Sequence, residues 1–105
     1  MEAEKILYGQ TILEEGDLAE SSIDYLVELA YYKTNKRQAD STIYGIEVVK
    51  TEHAKDKVTE EANEIDFFTR NERIVDTVLK LLKQYKVTPM GLRDSVFEIV
   101  KSGAL

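Results

Sequence analysis

Apolar and polar positions along this chain change their spacing once, near residue 69. Upstream, apolar residues recur at every second position; downstream, they recur at steps of three and four. Ser41–Thr51 (STIYGIEVVKT) is rich in β-branched and aromatic residues and predicts a strand. Tyr44, Ile46 and Val48 share one face, and Ile43, Glu47 and Val49 share the other. Ile23–Thr34 is a second strand candidate, with Tyr25, Val27, Leu29 and Tyr31 alternating against Leu26, Glu28, Ala30 and Tyr32. Its Leu, Glu and Ala would also suit a helix; three tyrosines and a valine favour the strand. Ala62–Phe68 predicts a shorter strand, Ile65 and Phe67 on one face, Glu64, Asp66 and Phe68 on the other. Met1–Glu15 fits either a strand broken at Gly9 or a short helix. Gly9 to Ile12 favour the strand, with Gly9 at a bulge or a close backbone approach. The polar runs Glu14–Ser22, Asn35–Asp40 and Glu52–Glu61 read as loops.

Thr69 to Val100 predicts two amphipathic helices. Thr69 and Glu72 have the spacing of a capping box, and Phe68 precedes them as a staple. Ile74, Val75, Val78, Leu81, Leu82 and Tyr85 then fall on one helical face, which Leu79 widens. Lys80, Lys83 and Lys86 lie where the negative end of the helix dipole favours cations. Pro89 stops this helix by Thr88 and suits the first position of the next. Leu92, Val96, Ile99 and Val100 form the face the second helix buries, with Met90 and Phe97 beside it.

Four strands followed by two helices predict an α+β domain: an antiparallel meander with both helices packed on one sheet face. At 105 residues with a hydrophobic fraction of 43%, the chain is expected to fold as one domain, residues 1–105, around a real core. It has no cysteine, which excludes disulfides, thiolate metal sites and cysteine nucleophiles. No stretch approaches the ~20 apolar residues of a membrane helix, and the N-terminus lacks the pattern of a signal peptide. A cytoplasmic location is expected. The net charge of −6 argues against nucleic acid, whose binding rests on neutralising phosphate. That charge is uneven. Arg70 to Lys101 holds seven basic and four acidic residues, so this stretch stands at +3 and the remainder at −9.

Ile43 to Lys50 (IYGIEVVK) and Val87 to Asp94 (VTPMGLRD), taken in order with Tyr8-Gly9, Leu29 to Tyr32 and the capped helix after Thr69, resemble a family of small clostridial and Firmicutes proteins classed as a domain of unknown function. The likeness spans nearly the whole chain. It departs from the pattern at Ser95 and Phe97, where an apolar and an acidic residue are expected, which implies a different packing of the last helix. The resemblance implies a cytosolic bacterial protein; it brings no activity, substrate or cofactor.

No catalytic constellation stands out. His53, the single histidine, lies among charges without a second nitrogen or sulfur ligand, and reads as a surface residue. Glu64 and Asp66 are about 7 Å apart on one strand face, with nothing apolar to separate their pKa values. The helix pair could be read as a DNA-binding helix-turn-helix, but its second helix offers only Arg93 early, beside Asp94. The tyrosines carry more information. Tyr31 and Tyr32 point to opposite sides of any strand, so some tyrosine belongs to the face away from the helices. Tyrosine supplies contact area with a polar tip. Tyr25, Leu26, Tyr31, Tyr32 and Tyr44 are therefore the candidate surface, with Leu26, Ala30 and Tyr32 or the alternate set at its apolar centre. The expected function is a non-enzymatic interaction or regulatory module without a cofactor, acting through its open sheet face or an edge strand and binding a protein partner or a second copy of itself. A nucleic-acid binder using the basic helix pair is the alternative, and a small enzyme ranks below both.

Overall fold

The computed structural model describes residues 3–13, 26–53 and 57–103. Four strands, β1 (Glu4–Leu13), β2 (Leu26–Gln38), β3 (Ser41–His53) and β4 (Val58–Thr69), form one antiparallel sheet in sequence order. Helix α1 (Glu72–Gln84), a single 3-10 turn (Pro89–Gly91) and helix α2 (Leu92–Lys101) follow. Both helices pack on the same face of the sheet. This is the α+β meander that the change of spacing predicts. Where the sequence of Met1–Glu15 fits either a strand or a helix, its described part, residues 3–13, holds the strand Glu4–Leu13.

Register fixes which side chains reach the helices. Tyr31 pairs with Val48 and Leu29 with Lys50, and Ile46 and Val48 follow at alternate positions of β3. Leu29, Tyr31, Ile46 and Val48 are fully buried against Val75, Val78, Leu79 and Leu82 of α1 and Leu92 and Val96 of α2. Burying each of these aliphatic side chains contributes about 1.5–3 kcal/mol. Leu79 is at the centre of the helix face, not its margin, while Tyr85 and Val100 are 69% and 53% exposed and leave the predicted faces.

Two strand interruptions have steric causes. The β1–β2 register slips between Leu7 and Gly9, and a Cβ at Gly9 would stand 2.9 Å from Cε of Lys83, which lies across it from α1. The β3–β4 register slips at Gly45, where a Cβ would stand 2.6 Å from the Ile65 carbonyl oxygen and 2.7 Å from Oγ1 of Thr34. That slip brings the Phe67 ring 4.7 Å from Nζ of Lys36, on β2, so Phe67 does not continue the core-facing row of Ile65.

The strands outrun their predicted limits. Asn35–Asp40 is not a loop: β2 continues to Gln38 and turns at Ala39-Asp40 alone, Gln38 pairing with Ser41. Likewise β4 begins at Val58, inside the charged run predicted as a loop. Thirteen residues of strand extend about 43 Å, against about 20 Å for a thirteen-residue helix. Beyond the reach of the helices both faces of the sheet meet water, and polar strand residues then look like loop. The cap of α1 also differs from expectation. Asn71 is the N-cap, its Oδ1 accepting from the N–H of Arg73 at 3.0 Å; Thr69 ends β4 and its Oγ1 accepts from the N–H of Asn71 at 3.0 Å.

The end of α1 is tied to the core. The N–H of Lys86 donates to the Lys83 carbonyl and that of Val87 to the Leu82 carbonyl, with Lys86 at φ 52°. This pair of bonds is a Schellman termination with lysine in the place that glycine prefers. Val87 then offers its carbonyl to the buried Tyr31 hydroxyl at 2.9 Å. At the other end of α1, Nζ of Lys33 contacts Glu72 at 2.6 Å and Asp76 at 2.8 Å.

Candidate functional site

Sheet alternation leaves one face of β1 to β4 without a covering layer among the described residues. Leu26, Ala30 and Tyr32 project from β2 at positions alternating with the buried Val27, Leu29 and Tyr31. Their partners extend the surface: Leu7 opposite Tyr32, Ile12 opposite Glu28, and Val49 opposite Ala30. Leu7, Ile12 and Leu26 are 44–48% exposed. The polar members pair across strands. Nζ of Lys5 is 3.1 Å from Glu47 and 4.7 Å from the centre of the Tyr32 ring. Nε2 of His53 is 2.5 Å from Glu28. The Glu47 side-chain bond, followed by the coulombic pull of the same carboxylate, raises the pKa of Lys5 and keeps it charged above its ordinary range.

The candidate surface is divided by this geometry. Leu26 and Tyr32 belong to the uncovered face, at the centre formed with Ala30. Tyr31 does not: it is fully buried in the core, where burial pushes its phenol well above the usual value and removes it from any contact surface. Tyr44 also faces the helices, half-buried against the core, 5.9 Å from Nζ of Lys33. The physical reason is the strict two-residue period. Tyr31 and Tyr44 share the parity of Leu29 and Ile46, and once α1 covers those it covers the tyrosines as well. Tyr25 lies outside the described residues.

Two further surfaces take their shape only from the fold. One is a groove between β1 and α1. A depression of about 440 Å³ is lined by Tyr8, Lys80, Lys83 and Gln84, and a neighbouring one of about 450 Å³ by Tyr8, Arg73, Asp76, Thr77 and Lys80 among others. Its signal was the spacing of Arg73, Lys80 and Lys83, which fall on one side of a helix, but the strand beside them could not be chosen without tertiary structure. The other is on α2, where Met90 and Phe97 are 84% and 64% exposed. Phe97 therefore stands at an outward position, which accounts for an acidic residue being expected there.

No cluster of three or more His, Asp or Glu able to hold a metal occurs among the described residues. Glu64 lies opposite Glu47 on the open face, with Lys5 beside the latter. Of the basic residues of the helical stretch, Arg73, Lys80 and Lys83 line the groove, and others are engaged elsewhere. Arg70 donates to Ser41 and Gln38, and Arg93 donates to the Glu64 carbonyl at 3.2 Å. Lys101 lies 5.8 Å from the Phe97 ring. No helix among the described residues is long and apolar enough to cross a membrane.

The model of a family of unknown function, DUF6514, matches residues 4–102. The chain belongs to that family. The match runs from the first residue of β1 to just past α2, so the family is defined by the whole sheet and both helices and not by a local motif. No curated protein and no solved structure matches the chain.

Proposed function

We propose that this DUF6514 protein is a non-enzymatic interaction module of the bacterial cytoplasm that binds another polypeptide, from a partner or from a second copy, through its uncovered sheet face. The observation that carries this reading is the apolar row Leu26–Ala30–Tyr32 with Leu7, Ile12 and Val49 beside it, on a face that a two-layer domain would otherwise make polar. A tyrosine held by Lys5 among aliphatic neighbours is the kind of rigid amphipathic anchor on which interfaces concentrate their energy. The nucleic-acid alternative would need Arg93, early in α2, to be free for base edges, and its guanidinium is engaged with the Glu64 carbonyl.

A photo-crosslinking residue at position 32, with the same residue at position 101 as control, tests the proposal in native cells. A saturable covalent adduct at position 32 and none at position 101 is expected. Equal, diffuse labelling at both positions would rule the face out as a contact surface.

A further inference from the structure

Among the described residues the sheet has two unpaired edges, β1 and β4, and they are not alike. On β4, Glu60, Glu61, Glu64 and Asp66 are exposed, and the Glu64 carbonyl already accepts from Arg93. Charges of this kind keep an edge strand from recruiting another strand. Along β1, after Glu4 and Lys5, the remaining residues Ile6 to Leu13 carry no charge, and Ile6, Leu7, Tyr8 and Ile12 are 40–48% exposed. An unguarded, apolar edge of this length is a template for one more strand.

Beside that edge runs the groove shared by β1 and α1. Arg73 and Lys80 are exposed, and the Lys83 side chain lies across Gly9, which brings its cation to the strand. The acidic groups nearby, Glu72 and Asp76, are both held by Lys33. The groove therefore presents positive charge to whatever lies along β1. A second copy pairing β1 to β1 would place two such basic helix flanks side by side on one face of the joined sheet, which like charge opposes.

We propose that β1 accepts an extended acidic peptide segment as a fifth strand, its side chains alternating acidic and apolar. The alternation follows from the pleat. Every second side chain of an added strand would face α1, where Arg73, Lys80 and Lys83 select carboxylates. The intervening ones would emerge on the uncovered face beside Leu7 and Ile12, which select apolar residues. The added strand would share Leu7 and Ile12 with the uncovered face, but its ladder runs along β1, one strand away from Tyr32 on β2, so it is tested through the α1 lysines and the peptide backbone and not at position 32.

The test is a fluorescence-anisotropy titration of the full chain with labelled peptides of about ten residues, the length of β1. One alternates glutamate with valine and isoleucine, one replaces each glutamate by lysine, and one has the acidic composition in two blocks. Saturable binding of the alternating acidic peptide alone is expected. It should weaken about tenfold or more in the Lys80→Glu, Lys83→Glu double variant and in roughly 0.5 M salt. Lys80 is exposed and Lys83 partly so, and a Tm unchanged from the parent protein checks that the variant folds. N-methylation of one alternate set of peptide amides should abolish binding while the other set is tolerated, as a strand ladder requires and a purely ionic contact does not. Equal affinity for the lysine or block peptide, equal tolerance of both N-methyl sets, or no binding at low salt would each overturn the proposal.

Discussion

Tyr31 has two roles that pull in the same direction. Its ring fills the core, and its hydroxyl donates to the Val87 carbonyl just past α1. Burial raises its pKa from the ordinary 10.0, because a phenolate there would be poorly solvated. For Lys33, burial works to lower the pKa, but the side-chain bonds from Asp76 and Glu72 outweigh it and the net shift is upward from 10.5. Both groups thus hold their protons more tightly folded than unfolded. The stability they add is complete below about pH 10 and is lost as pH rises through the folded values. Tyr31→Phe should cost about 1 kcal/mol at neutral pH, from the lost bond to Val87. Its urea midpoint should then fall less steeply than that of the parent above pH 10, because the variant has no phenol to ionise. Ala39 presents the opposite case, a residue at odds with its backbone. It holds φ 57° in the two-residue turn between β2 and β3, where glycine is at ease. Ala39→Gly should raise stability by about 0.5–1 kcal/mol, read as a higher urea midpoint with unchanged slope.

Among the elements, the junction of β4 and α1 shows how far a local motif can be trusted. Thr69 and Glu72 have capping-box spacing, yet Asn71 caps the helix and Thr69 supports Asn71. Asparagine is as good a cap as threonine, and here the strand claims Thr69 first by pairing it with Tyr44. Asn71→Ala should cost about 1 kcal/mol, and Thr69→Ala less; thermal denaturation that ranked them in reverse would restore the threonine as the cap. The same competition explains what was and was not legible in the sequence. The period-two rows over Leu26–Thr34 and Tyr44–Thr51 announced their strands because helices cover one side of them. The Asn35–Gln38 and Val58–Glu61 segments looked like loops because water wets them on both sides. The faces of β2 were readable as two alternating sets. Which set met the helices was not, since each contained a tyrosine and aliphatic residues. The positive side of α1 was visible as a spacing, but the strand opposite it, and Gly9 beneath Lys83, depend on pairing that only the folded chain displays.

At the scale of the whole molecule, strand order equals chain order, and each strand lies beside its sequence neighbour. The consequence is kinetic. The β2–β3 hairpin closes over Ala39 and Asp40 alone, a shorter connection than either of the others between strands, so its thirteen-rung ladder can zip before anything distant is found. Tyr31 and Val87 are 56 residues apart, and their bond forms only when α1 docks. Truncating Val48, inside the hairpin, should therefore slow refolding in a stopped-flow chevron. Truncating Val96, on α2, should leave the refolding arm in place and accelerate unfolding.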